Sequence, residues 1–468
     1  MLNITAARMI AYDTFKQVMD DKKLPEDLLE QSYEQHKGRL TRLDRNFIKE
    51  ILYGGLRWHQ KLYWILQQTA KRDLDQSSGE IRAALVLGTY QIYYMDRVPD
   101  RAAVNESVEY IRKKGQSSAC SFVNGILRQI ARRAQYFAKP NKTTHPNDYL
   151  ALQYSHPLWL VKKWAMRFKF DRLETMLASN NRPPPFSIRI NTLKESLSQS
   201  SFLQAKLLKE EKTHTERRPL RTSLRVVENP VLTKDSAFGQ GYYSVQDEAS
   251  QLIGLLTQPA EGEWIVDACA GPGGKLSHLY ELGHGKVKLT GIDRCSDRLQ
   301  RAKENFVRLG HDEPEWIVED FLHWEPKGRK KPDKIVLDAP CSGFGVFRRH
   351  PEGKWHKKAS LPAEYAKVQM QLIEHGLRCL KVGGELIYSV CSFEVAETEQ
   401  HLGDLLVRYG DYIHLASPAV RLPDYYKKYV TRDNVLLIYS GNTDDMDGFG
   451  SFVLTVKKKL PKDIQSVM

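Results

Sequence analysis

The chain of 468 residues has only six cysteines, at 120, 269, 295, 341, 379 and 391, and no C-x-x-C pair. Structural zinc sites usually draw thiolates from such pairs, so no metal is expected. Also missing are a charged-then-apolar leader and any apolar run near the ~18 residues of a membrane-spanning helix. The expectation is a cytoplasmic protein with no membrane contact, whose thiols stay reduced and free for chemistry. Acidic charge is in deficit, with 57 Asp+Glu against 70 Lys+Arg and a net charge of +13. That balance favours an anionic partner such as nucleic acid, although basic surfaces are often merely solvated. With 41% hydrophobic and 27% charged residues the chain reads as folded. Its length implies about three domains.

Residues 1 to about 135 have almost no proline and little strand-like alternation. Ile81–Met95 (IRAALVLGTYQIYYM) is apolar nearly all round, as a central buried helix is. Ala103–Ile111 and Ser121–Ile130 carry apolar residues at helical spacing, edged by Lys113, Lys114, Arg128, Arg132 and Arg133. A boundary is expected between 134 and 150, where proline, asparagine and threonine break the pattern. An amphipathic helix starts near His156, and Phe186–Leu193 (FSIRINTL) alternates like a strand. The charged segment Lys206–Arg225 reads as a surface excursion of a small α+β module. No internal repeat is evident.

Beyond Tyr243 strands and helices alternate, which implies a parallel sheet covered on both faces. The strands are expected at Trp264–Asp267, Leu289–Asp293, Trp316–Asp320, Lys334–Asp338 and Glu385–Ser389. Arg298–Leu309 puts Leu299, Ala302, Phe306 and Leu309 on one face, as a crossover helix does.

The stretch WIVDACAGPGGK (264–275) is an apolar run closing on Asp267, followed by a small-residue turn and a lysine. It fits a buried strand whose turn aims backbone N–H groups at a ligand. A phosphate-binding P-loop would need glycine at 269 and Ser or Thr at 276; Cys269 and Leu276 stand there. Four of the five expected strands end in aspartate: Asp267, Asp293, Asp320 and Asp338. In a parallel sheet these carboxylates share one edge, where such folds bind ligands. They would repel a polyphosphate and attract a cation. An acidic side chain at 293 can accept from ribose hydroxyls, and Asp320 from an exocyclic amine. S-adenosyl-L-methionine is the simplest candidate cofactor.

Cys341 and Cys391 follow the fourth and fifth strands at that same edge. C5 of cytosine is a poor nucleophile until a thiolate adds at C6, after which it can attack a sulfonium methyl group. A helix N-terminus expected just after Ser392 could activate Cys391. Cys120, Cys295 and Cys379 read as space-filling thiols in or near helices.

DACAGPGGK, LDAPCSGFGVFRRHPE and YSVCSFEVAETE, in this order, resemble the RNA (cytosine-C5)-methyltransferases that include the RsmB-type and Nop2/NSUN enzymes. HPLWLVKKW, RINTLK, YYSVQDEASQL, RLQRAKENFVRLG and DGFGSFVLTV extend the resemblance over residues 154 to about 458. LGTYQIYYMDRVPDRAAVNESVEYIRKKG and SFVNGILRQIARR are similar to the NusB-like domain of the RsmB-type members. The resemblance implies a multidomain fold: an all-α NusB-like domain (1–138), a small α+β RNA-binding module (150–240) and an α/β Rossmann-like class I methyltransferase domain (241–460). It implies methylation of 16S rRNA or a small-subunit assembly intermediate by a monomer.

For individual residues the resemblance implies that Cys269, Ala270, Gly271, Pro272, Gly273, Gly274 and Lys275 line the cofactor. It adds Arg298, and places Asp293 at the ribose, Asp320 near the adenine and Asp338 near the methionine and target base. Cys391 becomes the attacking thiol, Cys341 assists release, and Lys275 approaches the base. Three positions depart from the family pattern. Gly271 replaces an alanine, which is expected to loosen the turn; Val390 replaces a threonine before the nucleophile; Thr398 replaces an asparagine. The rivals are a DNA methyltransferase using Pro340–Cys341, a tRNA-directed enzyme and a non-catalytic assembly factor. The basic residues Arg348, Arg349, Lys354, Lys357 and Lys358, and the run Lys327, Arg329, Lys330 and Lys331, are candidate phosphate contacts around a cytosine drawn out of its stack.

Overall fold

The computed structural model describes residues 4–70, 73–133, 140–194, 215–226, 236–328 and 330–461. The chain divides into two compact units, one formed by residues 1–183 with 347–359 and the other by 184–346 with 360–468. The described part of the first unit contains no strand.

Six longer helices build its NusB-like part: α1 (Ala6–Asp21), α2 (Pro25–Gln35), α3 (Arg42–Thr69), α4 (Gly79–Tyr94), α5 (Asp100–Lys113) and α6 (Cys120–Arg133). Their starts follow local chemistry. Thr41 and Asp44 form a reciprocal capping box on α3, and the Ser78 hydroxyl accepts from the Ile81 N–H to cap α4. As expected from its all-round apolarity, α4 is the core of the bundle, with Leu85 and Leu87 wholly buried. Each such side chain contributes about 1.5–3 kcal/mol through burial. Three shorter helices follow: α7 (Pro146–Gln153), α8 (Leu158–Ala165) and α9 (Phe170–Asn180). Residues 134–139 of the expected boundary lie outside the described residues.

Residues 347–359 correct one expectation. Arg348 and Lys354 are 2% and 1% exposed, and the Lys354 ammonium donates to Arg57 O, Ser155 O and Asn181 Oδ1 at 2.7–2.9 Å. These two side chains are structural members of the helical unit and are buried away from any phosphate. Burial drives the Lys354 amine well below its ordinary range, with Arg57 adding to the effect. Lys358 is exposed, and Arg329 lies outside the described residues.

The second unit holds two sheets. The smaller runs β2-β3-β1-β4, all antiparallel, from β1 (Phe186–Ile190), β2 (Thr215–Arg217), β3 (Ser223–Val226) and β4 (Tyr243–Val245). Part of the segment read as a surface excursion is therefore paired strand; its residues 206–214 lie outside the described residues.

The larger sheet runs β10-β12-β9-β8-β5-β6-β7, with β11 on β12. Its parallel core comprises β5 (Trp264–Asp267), β6 (Lys288–Asp293), β7 (Glu315–Val318), β8 (Lys334–Asp338) and β9 (Glu385–Val390). β12 (Phe449–Val456) adds antiparallel to β9, and β10 (Ile413–Ala416) and β11 (Leu436–Ile438) pair antiparallel with β12. The five expected strands are parallel to one another, and the antiparallel strands β10, β11 and β12, which were not among them, make the whole sheet mixed. Helices α10 (Glu248–Thr257), α11 (Gly274–Leu282), α12 (Ser296–Leu309), α13 (Leu361–Cys379) and α14 (Glu399–Tyr409) accompany these strands. Strand order reverses between β5 and β8, which opens a crevice at their carboxyl ends.

Asp267, Asp293 and Asp338 end β5, β6 and β8 as expected. Asp320 does not end β7; it lies two residues past Val318 and caps the turn Phe321–His323 through the Leu322 N–H. No helix of the described chain is long and apolar enough to cross a membrane.

Candidate functional site

The turn Ala268–Lys275 is fastened to the sheet through its backbone. The Ala268 N–H donates to Val336 O and the Ala270 N–H to Ile292 O, both at 2.9 Å. The Gly271 N–H donates to Asp293 Oδ2 at 2.9 Å, while Asp293 Oδ1 accepts from the Cys295 N–H. Gly271 has φ +51, a conformation costly to residues with a Cβ. The glycine therefore relieves strain at this point, where a looser turn had been expected. Gly273 (φ +79) is needed twice over, because a Cβ there would lie 2.9 Å from the Cβ of Ala302 on α12.

The turn is also gripped from the smaller sheet. Arg189 on β1, 0% exposed, donates to both carboxyl oxygens of Glu281 at 2.8–2.9 Å and to Gly274 O at 2.8 Å. Burial works against ionising Glu281, but the guanidinium outweighs it and holds that carboxyl below its ordinary range. Sequence reading placed Arg189 in a strand and assigned it no partner.

A cavity of about 520 Å³ opens over the strand ends. Nine of the thirteen residues singled out from the sequence line it: Cys269, Gly271, Pro272, Asp293, Arg298, Asp320, Asp338, Cys341 and Cys391. Ala270, Gly273, Gly274 and Lys275 are not among its lining residues. Phe321, Leu322 and Leu372 give it an apolar wall that sequence reading missed. Leu372 belongs to α13, where Val368, Gln371 and Leu372 recur at helical spacing and all reach the cavity. That periodicity was the available signal.

The electrostatics suit a cationic ligand. Asp267 lies 1% exposed at the end of β5, and burial, with Asp338 adding to it, pushes its carboxyl up to about 7. Lys275 donates to Asp338 Oδ2 at 2.5 Å, and Ser389 Oγ donates to Oδ1 at 2.9 Å. Burial acts to discharge the lysine, yet Asp338 prevails and the ammonium is held above its usual range. Glu319 adds another carboxylate to the lining, with Arg294 opposite Asp320 at 3.6 Å.

The two thiols meet across the cavity: Cys341 Sγ and Cys391 Sγ are 3.1 Å apart, though 50 residues separate them. The contact with Cys391 is the first cause that raises the Cys341 thiol well above its ordinary range, followed by burial. Either thiol can be the donor in this contact. The expected helix directly after Ser392 is absent; a short turn at Val395–Glu397 intervenes and α14 starts only at Glu399. The contact with the second thiol stands where a helix dipole was expected. Val390 is fully buried, and the Thr398 hydroxyl donates to Glu394 O at 2.8 Å.

Among the described residues, Glu325, His375 and Cys379 form a cluster of metal-ligand type, as do Glu26, His350 and Glu352. None of these residues lines the cavity, and His375 Nε2 already donates to Trp324 O at 2.8 Å.

Comparison with known proteins agrees with this architecture region by region. Residues 5–132 match the NusB family, 156–231 the ferredoxin-like domain of RsmF/B-like methyltransferases, and 254–451 the family described as 16S rRNA methyltransferase RsmB/F. The chain is 31% identical over 435 residues to the "Probable ribosomal RNA small subunit methyltransferase B" of Bacillus subtilis (strain 168), covering 90% of this chain and 92% of the relative. It is 31% identical over 378 residues to ribosomal RNA small subunit methyltransferase B of Serratia proteamaculans (strain 568), covering 79% and 83%. The crystal structure of PH0851 shares the fold with a TM-score of 0.79 at 23% identity, over 97% of this chain and 99% of that one. A methyltransferase homologue from Pyrococcus horikoshii shares it over 65% of this chain and 97% of that one, with a TM-score of 0.53 at 24% identity. With a NusB domain, a ferredoxin-like module and a methyltransferase sheet in one continuous match, the chain belongs to the 16S rRNA methyltransferase RsmB/F family.

Proposed function

We propose that this protein transfers a methyl group from S-adenosyl-L-methionine to C5 of a cytosine in 16S rRNA, through a covalent bond between Cys391 and C6. The observation that carries the reading is the pair of thiols 3.1 Å apart on the wall of a carboxylate-lined cavity. One nucleophilic thiol beside a second, protonated thiol is an arrangement suited to adding to a base and later leaving it.

The cavity fits the cofactor on its own terms. Asp293 and Asp320 offer acceptors for hydroxyl and amine groups, Phe321 and Leu322 an apolar surface, and the clustered carboxylates favour a sulfonium with an ammonium group. When bound, S-adenosylmethionine supplies an electrophilic methyl group. The chain's own residues do the rest. Cys391, as the thiolate after loss of its proton to solvent and in contact with the Cys341 thiol, adds to C6 and makes C5 nucleophilic. Once C5 carries the methyl group, its proton passes to a base from solvent, the C5–C6 double bond re-forms as the S–C6 bond breaks, and Cys391 leaves as a thiolate with Cys341 assisting that release. Asp338, held by Lys275 and Ser389, faces the same cavity and is placed to orient the base. Three working domains, with limits near 1–138, 150–240 and 241–460, complete the reading, the first two gripping RNA.

The test incubates wild type, Cys341→Ala and Cys391→Ala with S-adenosylmethionine and small-subunit rRNA, followed by denaturing gels and a methyl-transfer assay. Cys341→Ala is expected to accumulate a protein–RNA adduct, and Cys391→Ala to show neither adduct nor methylation. An adduct formed only by Cys391→Ala would reverse the roles. Absence of methyl transfer by wild type to any RNA would leave a non-catalytic assembly factor.

A further inference from the structure

Glu397 is a buried carboxylate that the chemistry above does not use. It is 0% exposed, at the end of the turn Val395–Glu397. Its Oε1 accepts from the Ser342 backbone N–H at 2.8 Å and from Gln369 Nε2 at 3.0 Å. Its Oε2 accepts from Ser392 Oγ at 2.6 Å and from Ser342 Oγ. Ser342 directly follows Cys341, and Ser392 directly follows Cys391. A single carboxylate thus holds the residue after each thiol, on two loops that leave different strands.

The holder is itself held. Gln369 Oε1 faces His401 Nε2 at 3.0 Å, and the Tyr388 hydroxyl donates to Glu397 O at 2.8 Å. These contacts tie the turn to α13, α14 and β9. A buried carboxylate is costly unless its lone pairs are filled, and here four donors converge on it. Apolar packing could join two loops without that desolvation. A carboxylate does more, since it fixes the spacing through directional bonds and sets a negative charge behind the thiols. Its charge is among the causes that keep Cys341 protonated, after the Cys391 contact and burial.

We propose that Glu397 is the positioning residue of the thiol pair: by holding Ser342 and Ser392 together it sets the separation of Cys341 and Cys391, so that both act on one base. The inference rests on the roles given above to Cys391 and Cys341, and deepens them.

Two readouts separate this from a purely structural role, and neither needs methyl transfer. The first is the rate at which oxidised glutathione drives the Cys341–Cys391 disulfide, located by peptide mapping. The two thiols lose two protons and two electrons, and the reagent becomes two glutathione thiols. In the full chain, Glu397→Ala is expected to slow this step about tenfold and to lower kcat for methyl transfer about 100-fold, with KM for S-adenosylmethionine unchanged. The second is the pH profile of Cys341 and Cys391 alkylation in Glu397→Gln. Removing a negative charge favours the thiolate, so the profile should move to lower pH.

Ser342→Ala combined with Ser392→Ala should reproduce the slower disulfide step, and it carries the test if Glu397→Ala does not fold. A wild-type disulfide rate in the serine double variant, or an unmoved alkylation profile in Glu397→Gln, would overturn the proposal. Methyl transfer surviving in Cys391→Ala would sink the nucleophile assignment instead. The spacing measurements would still stand, so the two failures are distinguishable.

Discussion

The two sides of the cavity are built by different means. The turn Ala268–Lys275 is held by backbone bonds to Val336 and Ile292, by two left-handed glycines and by one strand-end aspartate. The thiol side adds a side-chain joint to its backbone bonds: Cys341 and Cys391 lie on separate loops that meet through Gly345 N–H to Cys391 O and through the Glu397 carboxylate. A backbone-held turn tolerates most side-chain changes but is sensitive to an added Cβ. A joint made by one side chain is open to single substitutions at each contact. The first arrangement suits a binding surface that must keep its shape, and the second suits groups that exchange protons and bonds.

The contrast can be broken at four points. The largest effect is expected from Cys391→Ser, which should lower methyl transfer at least about 1,000-fold while leaving the Kd for S-adenosylmethionine near wild type, as measured by titration calorimetry. Asp293→Ala should do the converse. It removes the acceptor for the Gly271 N–H and should weaken cofactor binding about 10- to 100-fold, leaving the Cys341–Cys391 disulfide rate unchanged. A loss confined to catalysis in Asp293→Ala would erase the division between the two sides.

Third comes a pH effect at the base of the turn. The Asp267 carboxyl titrates at about 7 in the folded protein and near 4 when unfolded. The native state therefore holds a proton that the unfolded state has lost, and stability falls as pH rises through that window. Denaturant melts of Asp267→Asn should lack this fall, amounting to about 4 kcal/mol in wild type. An equal slope in both proteins would mean that Asp267 is not the group responsible. The smallest effects separate the two glycines. Gly273→Ala meets both a left-handed backbone and the Ala302 Cβ and should cost about 2 kcal/mol. Gly271→Ala meets only Cys269 O, at an ordinary contact of 3.9 Å, and should cost about 1 kcal/mol, for the backbone alone. Thermal melts that rank them in reverse would show that the crowding at Ala302 is relieved by movement.

Much of the cofactor side was legible in the sequence because its signals are local. The ends of β5 and β8 coincide with Asp267 and Asp338, where an apolar run stops at a charge. The end of β7 was misread because two acidic residues follow its apolar run, and the strand stops at Val318, before the first of them, where Asp320 had been taken as its end. Arg348 and Lys354 looked like phosphate contacts because composition records charge and not burial. Glu397 gave no signal, since its donors Ser392, Gln369 and Ser342 lie 5, 28 and 55 residues away.

Order and spacing along the chain therefore determined the parallel sheet core, the edge that gathers the carboxylates and both thiols, and the helical first domain. These follow from periodicity and from the rule that parallel strands end on one side. Tertiary structure alone decided that Cys341 and Cys391 meet at 3.1 Å, that Arg189 reaches Gly274 O, and that one carboxylate joins two loops. The physical reason is range: a hydrogen bond works over about 3 Å, and which distant side chains come that close is settled only when the elements pack.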